Sequence, residues 1–185
     1  MEERQLIEGC VRGDSLAQKT MYELYAPAMM SVCQRYVSNR ETARDLLHDG
    51  FIKLFTKIHT YSGAGSFAGW IRRVFVTTAL EHLRRNDVLR YGVDMENIGD
   101  QCEETDVSFF EHLSVNDLMT CIARLPYKFR TVFNLHAIEG FKHAEIAAEL
   151  GINENTSRSI YAKARRLLQK MVMAEVDRLQ AVAGC

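Results

Sequence analysis

Only two prolines, Pro27 and Pro126, interrupt a chain of 185 residues, and the stretches between them repeat apolar residues at helical spacing. Strands would need runs of period two closed by turn dipeptides, and such runs are scarce, so the fold class read from the sequence is all-α. Hydrophobic residues make up 47% of the chain, enough to fill a core and too many for a disordered segment. The length suits one ordinary domain or two small ones.

Charge favours two. From Ser66 to Arg90 five basic residues face two acidic ones, a net of +3, and from Arg124 to Lys170 nine face four, a net of +5. Between them, Tyr91 to Ala123 holds eight acidic residues and no Lys or Arg, a net of −8, so the overall charge of −1 hides two basic modules and an acidic strap. The expected organisation is a helical domain over 1–90, an acidic flexible linker over 91–114 and a second helical domain over 115–185. Fully extended, such a linker reaches roughly 80 Å.

In the first block, Leu6, Ile7 and Cys10, then Leu16, Met21, Leu24 and Tyr25, mark apolar helical stripes. Pro27 is read as opening a separate helix, Ala28 to Val37, because the first turn tolerates a missing N–H. Ser38 is read as the cap of the next helix, with Glu41 three residues on, and Ala43, Leu46, Leu47, Phe51, Leu54, Phe55 and Ile58 line one side of it. Two glycines and two serines make Tyr61 to Phe67 a loop, and a basic helix from Ala68 to Arg85 follows. In the second block, Leu125-Pro126 closes one helix, since the residue before proline is pushed out of the α region. Tyr127 to Glu139 is read as the next helix, with Gly140 at its end.

The sharpest local signal runs from His143 to Thr156. Ala147 is small where two helices cross closely, and Gly151, four residues later, can take the left-handed conformation of a tight inter-helix turn. Ile146, Leu150 and Ile152 supply the motif's core, and Asn153 can cap the helix that follows. That helix repeats Ile160, Ala164, Leu167, Leu168 and Met171 on one side and Arg158, Ser159, Tyr161, Ala162, Arg165 and Arg166 on the other. One apolar stripe and one basic face suit insertion into a major groove. Ser157 is irregular, because an apolar residue is the usual occupant there.

Other chemistries find no support. Five scattered cysteines without C-x-x-C spacing argue for reduced thiols and against a disulfide framework or zinc site. No G-x-S-x-G, P-loop or H-E-x-x-H motif occurs, and the six histidines have no partners at ligand spacing. The expectation is therefore a non-enzyme without metal or cofactor. The chain also opens without a basic start leading into an apolar run, and no apolar stretch reaches membrane-spanning length, so a cytoplasmic location is expected.

Leu125-Pro126, Arg130 to Leu135 and Glu139-Gly140-Phe141, running into the helix-turn-helix, resemble a stretch of the extracytoplasmic-function branch of the sigma-70 family. Tyr22 to Tyr25, Asp45 to Phe51 and Phe67 to Ile71 resemble the same family's first domain, in the same order and spacing. The resemblance implies an RNA polymerase sigma factor that directs promoter recognition and transcription initiation. Its implied partners are the β′ clamp and β flap of core RNA polymerase, promoter DNA and an anti-sigma factor. By the same resemblance, Asp45, Leu46, Asp49, Phe51 and Ile52 would grip the polymerase clamp. The loop Tyr61, Ser62, Gly63, Ala64, Gly65, Ser66 and Phe67 would meet the −10 element, with Trp70, Arg72, Arg73, Thr77, Arg84, Arg85 and Arg90. Asn155, Thr156, Arg158, Ser159, Ala162, Lys163, Arg165 and Arg166 would meet the −35 element. His48 and Gly50, and Thr77 and Glu81, depart from the family's commoner residues. The alternative is a stand-alone helix-turn-helix regulator that binds DNA as a dimer without polymerase. A further expectation is that the acidic strap, Glu96 to Asp106 above all, disfavours free DNA until polymerase is bound.

Overall fold

The computed structural model describes residues 2–85 and 114–183, all helix and connecting turns, and the chain divides into two compact units, Met1–Asn86 and Asp87–Cys185. The expected linker up to residue 113, the acidic strap and Arg90 lie outside the described residues. Among the described residues no helix is long and apolar enough to cross a membrane.

In the first unit, α1 (Glu3–Val11), α2 (Ser15–Tyr36), α3 (Arg40–Lys57) and α4 (Phe67–Arg85) are joined by short turns, with one 3-10 turn, Ile58–Thr60, after α3. α2, α3 and α4 pack against one another and α1 lies on α2. Asp14 caps α2 by accepting from the N–H groups of Leu16 and Ala17. The cap of α3 is Asn39, whose Oδ1 accepts from Glu41 and Thr42, and not the expected Ser38. Both residues can cap; an asparagine one place nearer the apolar stripe makes the bonds.

Pro27 does not start a helix. It sits inside α2, which is continuous from Ser15 to Tyr36. An interior proline costs about 3 kcal/mol, because it removes a bond and crowds the preceding turn. Met21 ahead of it, and Met29, Val32 and Tyr36 behind it, are all buried. At about 1.5–3 kcal/mol for each large apolar side chain, their burial outweighs the local cost. Pro27 itself is on the exposed side, where water can reach the carbonyl left without a donor.

At Gly50 the Phe75 side chain of α4 packs directly against the backbone of α3. A Cβ built there would lie 2.2 Å from the Phe75 ring. The ring occupies the space of the missing side chain and also meets Phe51 edge-on, with centroids 5.2 Å apart. That contact accounts for the departure at Gly50, since a larger residue there would collide with Phe75.

In the second unit, α5 (Val115–Arg124) is capped by Ser114, and Leu125, in extended conformation, ends it ahead of Pro126. Residues Tyr127 to Glu139 are not one regular helix: α6 (Tyr127–Phe133) passes into a π-helical turn, Asn134–Ile138. Its wide bond, from the Glu139 N–H to the Asn134 carbonyl, is 2.9 Å, and the Phe141 N–H closes the end by donating to the Leu135 carbonyl. Hydrophobic spacing cannot distinguish this turn from a continued α-helix. Then come α7 (His143–Leu150) and the 30-residue α8 (Glu154–Ala183). Cys121, Ile122 and Leu125 meet Leu168 and Val172 in one cluster of the core. Arg130 is buried in this unit, with its guanidinium 4.5 Å above the Tyr127 ring and Nη1 donating to the Ala123 carbonyl at 2.7 Å. Burial holds its pKa below the ordinary arginine value, with Tyr127 opposing.

Gly50→Ala is expected to destabilise the first unit by about 1–3 kcal/mol, because overpacking against Phe75 outweighs alanine's better helix propensity. Gly50→Ala with Phe75→Leu should recover part of the loss. Urea unfolding of the three proteins followed by circular dichroism checks this; a stabilised single variant would contradict the contact.

Candidate nucleic-acid interface

Three exposed surfaces carry the residues singled out in the sequence, two on the first unit and one on the second. The first is the outer stripe of α3. Asp45, Asp49 and Ile52, spaced by four and three residues, are all exposed, and Ile52 keeps 64% of its surface in solvent. Leu46 and Phe51, expected to share this surface, are instead 1% and 3% exposed. Phe51 is enclosed by Tyr22, at 4.5 Å between ring centroids, by Phe75 and by Phe55. The correction has a simple cause: a helix has one inward stripe, and both residues are worth more in the core than at the surface. Their part in any partner surface is to hold α3 while the carboxylates and Ile52 face out.

The second surface is the loop before α4. Ser62 to Ser66 are exposed, and Gly63 and Gly65 both sit at φ 78°, a conformation other residues resist. The Tyr61 hydroxyl donates to the Gly65 carbonyl at 2.8 Å and closes the loop on itself. Ser66 Oγ accepts from the Gly69 N–H at 3.1 Å at the start of α4. Phe67 is buried, contrary to its expected place among the residues that meet DNA. It stacks on Trp70, with centroids 5.8 Å apart and planes 12° from parallel, and meets Tyr61 and Tyr25 edge-on. Phe67 therefore anchors the loop, and the half-buried Tyr61 and Trp70 are the aromatics that solvent reaches.

Along α4, Arg73, Arg84 and Arg85 are exposed and Arg72 is half-buried. The Thr77 hydroxyl donates back to the carbonyls of Arg73 and Val74. Glu81 pairs with Lys53 of α3 at 2.5 Å. The bond from Lys53 holds the Glu81 carboxyl below its usual range, with burial opposing and the charges of Lys53, Arg84 and Lys57 assisting. The departures at Thr77 and Glu81 thus have partners within this unit.

The third surface is the helix-turn-helix. Lys142 N–H donates to the Glu145 carboxylate at 2.8 Å at the start of α7. Gly151 makes the turn with φ 65° and ψ 35°, and Asn153 Oδ1 accepts from the Thr156 N–H at 2.7 Å to start α8. Ser157, Ile160, Ala164 and Leu168 form the inner stripe of α8. Asn155, Arg158, Ser159, Ala162 and Arg165 are exposed, while Thr156, Lys163 and Arg166 are half-buried. Arg158 is held by Glu154 one turn earlier, at 2.5 Å. The inner Ser157 is fully buried, and its hydroxyl lies 3.0 Å from Nδ1 of His143. Two contacts were illegible in the sequence: this one spans fourteen residues, and the Tyr61–Gly65 bond depends on the path of a loop. The unusual serine was the one hint of the first.

Cys10, Cys33 and Cys121 are buried free thiols, and burial pushes Cys33 up to about 12, which leaves it unreactive. Among the described residues no three His, Cys, Asp or Glu side chains converge as a metal site.

Comparison with known proteins agrees with this layout. The family profile described as Sigma-70 region 2 matches residues 21–88, and that described as Sigma-70, region 4, matches residues 116–168. The ECF RNA polymerase sigma-E factor of Haemophilus influenzae is 26% identical over 182 residues, covering 93% of this chain and 96% of its own. The RNA polymerase sigma-H factor of Pseudomonas aeruginosa is 26% identical over 179 residues, covering 91% and 93%. Among solved structures, the sigma factor RpoE of Bartonella quintana, crystallised with the anti-sigma factor NepR, superposes with a TM-score of 0.52 at 21% identity, over 84% of this chain and 96% of that one. The two profiles fall one on each unit, in the family's order, and the relatives span nearly the whole length. The chain belongs to the sigma-70 family of RNA polymerase sigma factors, with the extracytoplasmic-function branch.

Proposed function

We propose that this sigma factor holds core RNA polymerase through the outer stripe of α3, reads the −10 element with the loop before α4, and reads the −35 element with α8. The observation that carries this is the division of labour on the surface: one carboxylate-and-isoleucine stripe, one glycine-serine loop bordered by aromatics and arginines, and one basic helix face. Each is exposed by the burial of an opposite apolar stripe.

The physics of each surface fits its assignment. Asp45 and Asp49 beside Ile52 make a mixed charged and apolar patch of the kind found in protein interfaces, suited to the β′ clamp. The second unit is assigned to the β flap by family likeness. Promoter opening unstacks bases, and a loop rich in backbone donors next to Tyr61 and Trp70 can receive one; stacking on an aromatic contributes about 1–3 kcal/mol per base. Arg73, Arg84 and Arg85 hold phosphates, which fixes register without reading sequence. On α8, Arg158, Ser159 and Ala162 meet base edges, with Asn155 and Thr156 at the groove's rim and Lys163, Arg165 and Arg166 on phosphates. The protein works in the cytoplasm, catalyses nothing itself, and is restrained by an anti-sigma factor, as its Bartonella relative is bound by one.

Arg158→Ala should lower discrimination at one position of the −35 element by about 1–3 kcal/mol, with −10 use unchanged. Selection from a promoter library in run-off transcription with core enzyme measures this, and an unaltered selected sequence would reject the assignment. Asp49→Ala is expected to weaken the complex with core polymerase without unfolding the chain, since the carboxylate is exposed. Titration of labelled protein with core enzyme, alongside circular dichroism, decides it. Tyr61→Phe keeps the ring and removes only the bond to Gly65; at about 0.5–1.5 kcal/mol for such a bond, stability should change little while open-complex formation slows. A variant that opens promoters at the normal rate would show that the loop needs no closure.

A further inference from the structure

Behind the DNA-facing side of α8 lies a polar cluster that the assignments above leave unused. His143, the first residue of α7, lies with Nδ1 3.0 Å from the hydroxyl of the fully buried Ser157. The ring of His136, from the π-helical turn, is stacked on that of His143, with centroids 4.2 Å apart and planes 20° from parallel. His136 Nδ1 is 2.9 Å from the Phe141 carbonyl. A carbonyl only accepts, so this nitrogen is the donor of that bond. Both rings rest on Tyr161 of α8, at 4.5 Å and 5.7 Å, and Tyr161 in turn stacks on Phe133. The cluster therefore touches the π-helical turn, α7 and the first two turns of α8.

We propose that His143 and Ser157, with His136 stacked behind, are positioning residues for the −35 reader: a polar latch that seats the first turn of α8 while at least one of the two imidazoles is neutral, and loosens when both are protonated. The proposal rests on α8 being that reader. Ser157 stands where an apolar knob would be insensitive to pH; a hydroxyl bonded to an imidazole is not. The bond itself survives one protonation, since a hydroxyl can accept as well as donate. The stacked pair does not tolerate two charges at this distance, since like charges on facing rings repel.

The surroundings favour the neutral form. Burial, then the adjacent His136 ring and Arg158 of α8, hold His143 below the ordinary histidine range, with Glu154 of α8 pulling the other way. Tyr161 is a further titratable group against both rings. An unfolded histidine takes up its proton near pH 6.5, and His143 in the folded unit does so only below that. The latch's contribution to stability is therefore complete above about pH 6.5 and declines as pH falls through the folded value.

The test uses the full chain with core enzyme and, as probe, the −35 duplex that the wild type selects from a randomised library, set against a mismatched duplex. The wild-type ratio is expected to fall severalfold between about pH 7.5 and pH 5.5, as the imidazoles take up protons and the latch loosens. His143→Asn keeps a hydrogen-bonding group near the Nδ1 position and cannot become charged; it should match the wild type at the higher pH and stay nearly flat. Ser157→Ala should discriminate less well at both. A pH-independent wild-type ratio, or a His143→Asn profile that follows the wild type, overturns the proposal. If Arg158→Ala leaves selection unchanged, the reader assignment fails instead, and imidazole NMR of the free chain then decides the latch. His136→Asn must move the His143 titration up toward its ordinary value; a His143 titration indifferent to His136 would overturn it.

Discussion

Burial of a single stripe on each of α3 and α8 governs everything else in this molecule. On α3 the stripe is Ala43, Leu46, Leu47, Gly50, Phe51 and Leu54; on α8 it is Ser157, Ile160, Ala164 and Leu168. A helix can turn only one side inward, so fixing these residues fixes which ones are offered to partners. Asp45, Asp49 and Ile52 are exposed because Leu46 and Phe51 are not. Arg158, Ser159 and Ala162 are exposed because Ser157 and Ile160 are not.

The same logic gives the two units different kinds of surface. The first builds a rigid helical platform, tightened where Gly50 admits the Phe75 ring, and attaches to it a short loop held by Phe67 at its base and by Tyr61 across its width. A loop fixed at both ends but rich in glycine offers backbone groups at close range while its anchors stay in place. The second unit, on the proposed assignment, reads DNA from the long helix itself, where spacing is set by helical geometry, and uses Gly151 and Asn153 to set how that helix begins. Reading a duplex groove demands regular spacing, whereas receiving an unstacked base demands adaptable shape. The two units divide along that line.

Much of this was legible from residue order. The helical class, the loop at Ser62 to Ser66, the left-handed turn at Gly151 and the cap at Asn153 all follow from local rules, because each depends on residues within a few positions of one another. What escaped depends on tertiary neighbours. Spacing places Leu46 and Phe51 on α3 but does not say whether they are at the centre of its buried stripe or on its flank; Tyr22 and Phe75 decide that. Local preference favours a break at Pro27, and the buried residues on either side override it. The Ser157–His143 bond is the same case, since its two residues lie fourteen apart along the chain.

The two basic helical units are proposed to recognise promoter DNA only as parts of one polymerase-bound assembly. The measurement that bears on it most directly is run-off transcription from a promoter library with core enzyme alone, with this chain alone, and with both, run beside binding of the free chain to the selected promoters. The account predicts specific transcripts with both components only, and weak, poorly discriminating binding by the free chain. Tight binding by the free chain to a two-fold symmetric site, or no association with core enzyme at all, would contradict it.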